Sequence, residues 1–115
     1  MAKVFGMHAI ELQPGCDEHE FEEFMRKDFL PSYSKASGQT AHLLKGDRGE
    51  RTGRYLVLVE LESPERRDQI YPSEGVIAND VLEVVGNVET LISTILSFLV
   101  EFPDPRYTDY VSVSD

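Results

Sequence analysis

Three histidines, five tyrosines and a single cysteine are the proton-transfer and nucleophile candidates of this chain outside its carboxylates. His8 stands apart from the rest because it interrupts an apolar run, residues 3–12, and shares the parity of Val4, Ile10 and Leu12. A neutral imidazole on the buried side of a strand can act as a general base or orient a ligand carbonyl. The competing reading is a core histidine satisfied by a hydroxyl or carboxylate on a facing helix. Tyr55 and Tyr71 are candidate hydrogen-bond donors to a ligand, set against tyrosines that pack their rings and leave the hydroxyl at the surface. His42 falls on a second strand and is a candidate ligand contact. With two strand spacings between them, about 9.6 Å, His8 and His42 could flank a ligand but not form a dyad. Phe24, on the first helix, is the apolar candidate contact. His19 sits among acidic side chains in a first helical turn and reads as solvent-exposed. The histidines share no short spacing, so neither a metal nor a cofactor is expected.

Two further features carry less. Cys16 excludes an intrachain disulfide and a thiolate cluster. A thiol beside a helix N-terminus can ionise easily, yet Asp17, Glu18 and Glu20 crowd negative charge around it, and Cys16 with Phe21 suits a hydrophobic staple better. The glycines at 46, 49 and 53 suggest a phosphate cradle only if a helix follows them. A strand follows, which makes the segment a hairpin loop.

The elements that must position these residues can be read in order. Residues 3–12 are apolar in both parities, with Val4, Ile10 and Leu12 on one side and Phe5, Met7 and Ala9 on the other, as in a strand covered on both faces. Gln13-Pro14-Gly15 turns the chain, and Asp17 with Glu20 forms a capping-box arrangement that opens a helix. That helix spaces Phe21, Phe24, Met25 and Phe29 on one face, and Pro31 is expected to end or kink it. Residues 39–45 and 55–61 make a hairpin whose second strand is apolar on both faces. Ser63-Pro64 starts a short helix ended near Pro72 and Gly75. Helical periodicity then runs from Ile77 to Leu99, with Gly86 as a break, and residues 107–113 alternate as a half-exposed strand.

This is an α+β chain in the ferredoxin-like order βαββαβ, with a four-stranded antiparallel sheet, the first and third strands central, and helices on one face. The other sheet face then needs cover of its own. At 115 residues and 41% hydrophobic content, the chain supports one core, and residues 1–115 are taken as a single domain. A net charge of −10 argues against nucleic acid and anionic membrane surfaces as partners. The longest mainly apolar stretch, residues 88–102, falls short of the roughly 20 residues a bilayer requires. With no signal-like N-terminal segment, a cytoplasmic location is expected.

The first strand ending in Leu12-Gln13-Pro14-Gly15, followed by the acidic, Phe-rich Glu18-His19-Glu20-Phe21-Glu22-Glu23-Phe24, resembles the dimeric α+β barrel superfamily of antibiotic-biosynthesis monooxygenase-like, polyketide cyclase-like, haem-degrading and stress-responsive proteins. The resemblance implies a homodimer in which two sheets face each other to form a barrel, and a ligand cleft between helices and sheet. It implies a small, aromatic or polyketide-like ligand, with a cofactor-independent monooxygenase- or cyclase-type activity at a strand-borne histidine and a nearby tyrosine. The chain has no Trp, whereas the haem-degrading members share an Asn, Trp and His set, so haem degradation is not implied. The alternative is a non-catalytic stress-response or assembly barrel.

Overall fold

Strands apolar on both faces belong inside a sheet, and both such strands are found there. The computed structural model describes residues 2–113. Its strands are β1 (Val4–Ile10), β2 (Gln39–Lys45), β3 (Tyr55–Leu61) and β4 (Thr108–Val111). They form one antiparallel sheet in the order β2-β3-β1-β4. The register places His8 opposite Val57, and Gly6 between Val59 and Asp109. Val4, Gly6, His8 and Ile10 therefore point to the helical side, together with Val57, Val59 and Leu61. β4 is shorter than the alternation of residues 107–113 predicts. Tyr107 lies before the strand rather than in it, which frees its ring to cover His8.

The helix α1 (Glu18–Phe24) starts where Asp17 accepts from the amides of His19 at 2.8 Å and Glu20 at 3.2 Å. The α form is interrupted just ahead of Pro31, and the helical run ends at Tyr33, two residues after it. The chain widens into a π turn over Met25–Phe29 and continues as α2 (Leu30–Tyr33), with Pro31 in the first turn of α2. Proline cannot donate to the carbonyl four residues back and its ring crowds that group. The wide turn, in which the Leu30 amide reaches the Met25 carbonyl, gives the ring room.

The second helical region is three helices, α3 (Pro64–Ile70), α4 (Asn79–Val85) and α5 (Val88–Phe98). The Ser63 hydroxyl accepts from the Arg66 amide at 3.0 Å and so starts α3. Gly86 and Asn87, with φ of 67° and 49°, make the left-handed corner between α4 and α5 that only glycine and a few polar residues take without strain. With these helices counted as one layer, the architecture is α+β and compatible with a ferredoxin-like fold. No single helix among the described residues is long and apolar enough to cross a membrane.

The core lies between the helices and the inner sheet face, where Val4, Phe21, Met25, Ile70, Ile95 and Leu99 are fully enclosed. The outer face of the sheet carries Phe5, Met7, Leu44, Leu56, Leu58 and Tyr110. Of these Met7, Leu44 and Tyr110 are 38%, 43% and 53% exposed.

Candidate functional site

The sheet and its helical cover do not close over their full length. Between the inner face of β1 and β3 and the segment from α3 to α5 lies a cavity of about 870 Å³. Its walls are mainly apolar, from Phe29, Tyr33, Val57, Val59, Ile77 and Phe102. Polar groups gather at one end, where His8, Arg67, Tyr71, Tyr107 and Asp109 reach the lining.

His8 enters this space because it shares the inward parity of Val4 and Ile10. Its ring lies on that of Tyr107, with centroids 5.1 Å apart and planes 8° from parallel. Nδ1 is shut off from solvent and has no hydrogen-bond partner among the described residues. Nε2 lies beside Gly6. A Cβ placed on Gly6 would lie 3.7 Å from Nε2 and 2.8 Å from Asp109 Oδ1. Burial holds the imidazole below its ordinary pKa, while the charges of Asp109 and Asp104 pull the other way. The outcome is a neutral ring at neutral pH with two carboxylates in reach of any charge it gains.

The acidic neighbours of His8 are themselves fixed. Asp104 is buried and accepts from the Ala9 amide at 3.0 Å and from the Arg106 amide at 2.9 Å. It thereby satisfies β1 just beyond Met7, where pairing with β4 ends. Asp109 Oδ2 accepts from Arg67 Nη1 at 3.1 Å, and Arg67 Nε donates to Asp68 at 3.0 Å. The one guanidinium of the cavity is thus shared between two carboxylates. The Tyr71 hydroxyl donates to Gln39 Oε1 at 2.6 Å, and Gln39 Nε2 donates to the Tyr33 carbonyl at 2.8 Å. Burial, above all, raises the Tyr71 pKa.

Of the residues singled out in the sequence, His8 and Tyr71 reach the cavity, and Tyr71 does so with its hydroxyl proton already committed to Gln39. The others are placed elsewhere. Tyr55 stands at the far end of the sheet, where its hydroxyl bonds to the carboxylates of Glu18 and Glu22, and Lys45 pairs with Glu18 at 3.1 Å. Burial and those two hydrogen bonds push its pKa up, so it ties α1 to β3. His42 is on the outer sheet face, its Nε2 4.0 Å from Glu60. Val57 pairs with His8 on one side and with Leu43 on the other, so Leu43 is level with His8 on the same face. His42, one residue away, points to the opposite side. The two histidines therefore do not flank one space within a chain. Phe24 packs on Phe29 and Phe98, at centroid distances of 6.2 and 5.7 Å, away from the cavity lining.

Asp109, Arg67, Asp104 and Tyr107 escaped the sequence reading. A usable signal existed for Asp109, an acid at the inward parity of an edge strand. For Arg67 and Asp104 there was none, because helix and loop residues reach the site only through tertiary packing. The Cys16 thiol is raised by burial and by Asp17, Glu20 and Glu18, which suits a staple and not a nucleophile. The loop after β2 closes a hairpin, with the Gly46 amide donating to the Arg54 carbonyl at 2.8 Å. Among the described residues, no three His, Cys, Asp or Glu side chains come together as a metal-binding group. No family model, curated protein or solved structure matches this chain.

Proposed function

We propose that this chain is a small-molecule-binding homodimer whose helix–sheet cavity takes a largely apolar, uncharged ligand of aromatic or polyketide-like character, with His8 as general base. The observation that carries this reading is a neutral imidazole, kept uncharged by burial, in the lining at the polar end of an apolar cavity of about 870 Å³. Sites of this make-up are the usual form of a ligand pocket. Charge selects the ligand further. Asp68, Glu74 and Asp109 line the cavity against Arg67 alone, so a carboxylate ligand meets net repulsion while a neutral one does not.

The chemistry open to such a site is proton abstraction. A bound substrate gives up a proton from an acidic O–H or C–H to His8, and the electron pair stays behind as a phenolate or enolate. The imidazolium that forms is stabilised by Asp109 and Asp104. A substrate activated in this way carries the remaining reactivity itself, as a cofactor-independent cyclase- or monooxygenase-type reaction requires. The apolar outer face of the sheet supports pairing with a second copy, since a face bearing Phe5, Met7, Leu56 and Leu58 is costly to leave in water. The same face would serve an assembly module without catalysis, and ligand binding separates the two readings.

The test is fluorescence titration with 2-naphthol and 2-naphthoate as probes. Saturable binding of 2-naphthol, at least tenfold weaker binding of 2-naphthoate and loss of 2-naphthol binding in His8→Phe are expected. Failure of both probes to bind, or unchanged binding in His8→Phe, overturns the reading in favour of the assembly module.

A further inference from the structure

We infer that Asp109 is a positioning residue that sets the basicity of His8, and that residue 6 is glycine so that the Asp109 carboxylate can lie across β1 beside that imidazole. The inference rests on His8 being the working group of the cavity. Gly6 occupies the middle of a central strand, where a glycine weakens the sheet and has no turn to make. Gly6 is not among the residues with positive φ, so its backbone does not demand glycine. The reason is space. A Cβ at position 6 would stand 2.8 Å from Asp109 Oδ1, closer than real Cβ atoms approach, and 3.7 Å from His8 Nε2. The carboxylate thus occupies the notch left by the missing methyl, which His8 Nε2 also borders.

Arg67 holds it there from the opposite side, through Nη1 to Oδ2 at 3.1 Å. Because Arg67 is pinned in turn by Asp68, the carboxylate has little freedom to yield to an added methyl group. The other ionisable neighbours of His8 are accounted for. Asp104 faces it from the loop before β4, but its oxygens are engaged by the Ala9 and Arg106 amides. Tyr107 covers the ring face, Tyr71 is bonded to Gln39, and β3 contributes only Val57 opposite. Asp109 is therefore the neighbour whose charge borders Nε2 without being taken up by backbone amides. A carboxylate so placed favours the protonated form of the imidazole through its charge, which compensates in part for burial and lets the ring receive a proton during turnover.

NMR titration of the histidine ring resonances tests this without any ligand or activity. Asp109→Asn keeps the shape of the side chain and its acceptor for Arg67 while removing the charge. It should weaken the proton affinity of His8 about three- to tenfold and leave His19 and His42 unchanged. Gly6→Ala should move His8 in the same direction by displacing the carboxylate, and should have no further effect in the Asp109→Asn background. An Asp109→Asn protein that folds with an unchanged His8 titration overturns the inference, and if Gly6→Ala does not fold, Asp109→Asn alone decides. Failure of the proposed function looks different: His8 would still respond to Asp109→Asn, while 2-naphthol would bind His8→Phe as it binds the parent.

Discussion

His8→Phe should leave the protein folded and make it more stable, an unusual outcome for a substitution in the middle of a central strand. The histidine carries a cost in the fold, because Nδ1 is buried with no partner among the described residues. An unsatisfied buried polar group costs about 1–3 kcal/mol. Phenylalanine removes that cost, retains a flat ring to stack on Tyr107 and adds apolar surface to a wall that already holds Val57 and Val59. Allowing for imperfect packing of the new ring, a net gain of about 1 kcal/mol at pH 7 is expected, a rise of roughly 3–6 °C in Tm for a chain of this size. The gain should grow in mild acid. Burial holds the folded His8 below the ordinary value of 6.5, so between the two values the unfolded chain binds a proton that the folded one resists. Stability of the parent therefore falls as pH drops below about 6.5, and His8→Phe lacks this contribution. Thermal melts of both proteins at pH 7.5 and pH 5.5 give the comparison. A Tm several degrees below the parent at pH 7.5, or an unchanged gap at pH 5.5, would refute the reasoning and mark His8 as a satisfied core residue.

Three other substitutions should behave differently. Tyr71→Phe strands Gln39 Oε1 in a buried position and should lose about 1–3 kcal/mol in a denaturant melt, the opposite sign to His8→Phe. Asp17→Ala removes the cap on α1 and should lose about 1 kcal/mol, with 2-naphthol binding unchanged, as calorimetry can establish. Met7→Glu puts a charge on the outer sheet face directly across from Leu58 and should convert a dimer to the 13.0 kDa chain in light scattering. A parent protein already at that mass at micromolar concentration counts against the homodimer.

The fold was legible where apolar pattern and capping chemistry agree. The two strands apolar in both parities took the two central positions, Asp17 started α1, and Gly86 split the last helical region. Pro31 signalled a local disruption of hydrogen bonding but not its form, which is a π turn ahead of the proline and one last turn ending at Tyr33. In the site, one polar residue in an apolar strand was enough to find His8, since burying an imidazole demands a reason. Tyr55 and Tyr71 could not be told apart in the same way. Whether a tyrosine meets Glu18 and Glu22 or Gln39 depends on which helix lies over it. His42 lies a single residue of register away from the face of His8, which in a strand is a whole face. The Asp109–Arg67 pair joins residues 42 positions apart, and although the parity of Asp109 could be read locally, its partner could not.

Binding of a small, uncharged aromatic ligand beside His8 would be visible in a crystal structure of the protein soaked with 2-naphthol. The naphthol ring is expected among Phe29, Val57, Val59 and Phe102, with its hydroxyl within hydrogen-bonding distance of a His8 nitrogen. Density for the probe only on the outer sheet face, or only in the smaller hollow of about 280 Å³ beside Lys3, Gly38 and Glu60, would contradict it.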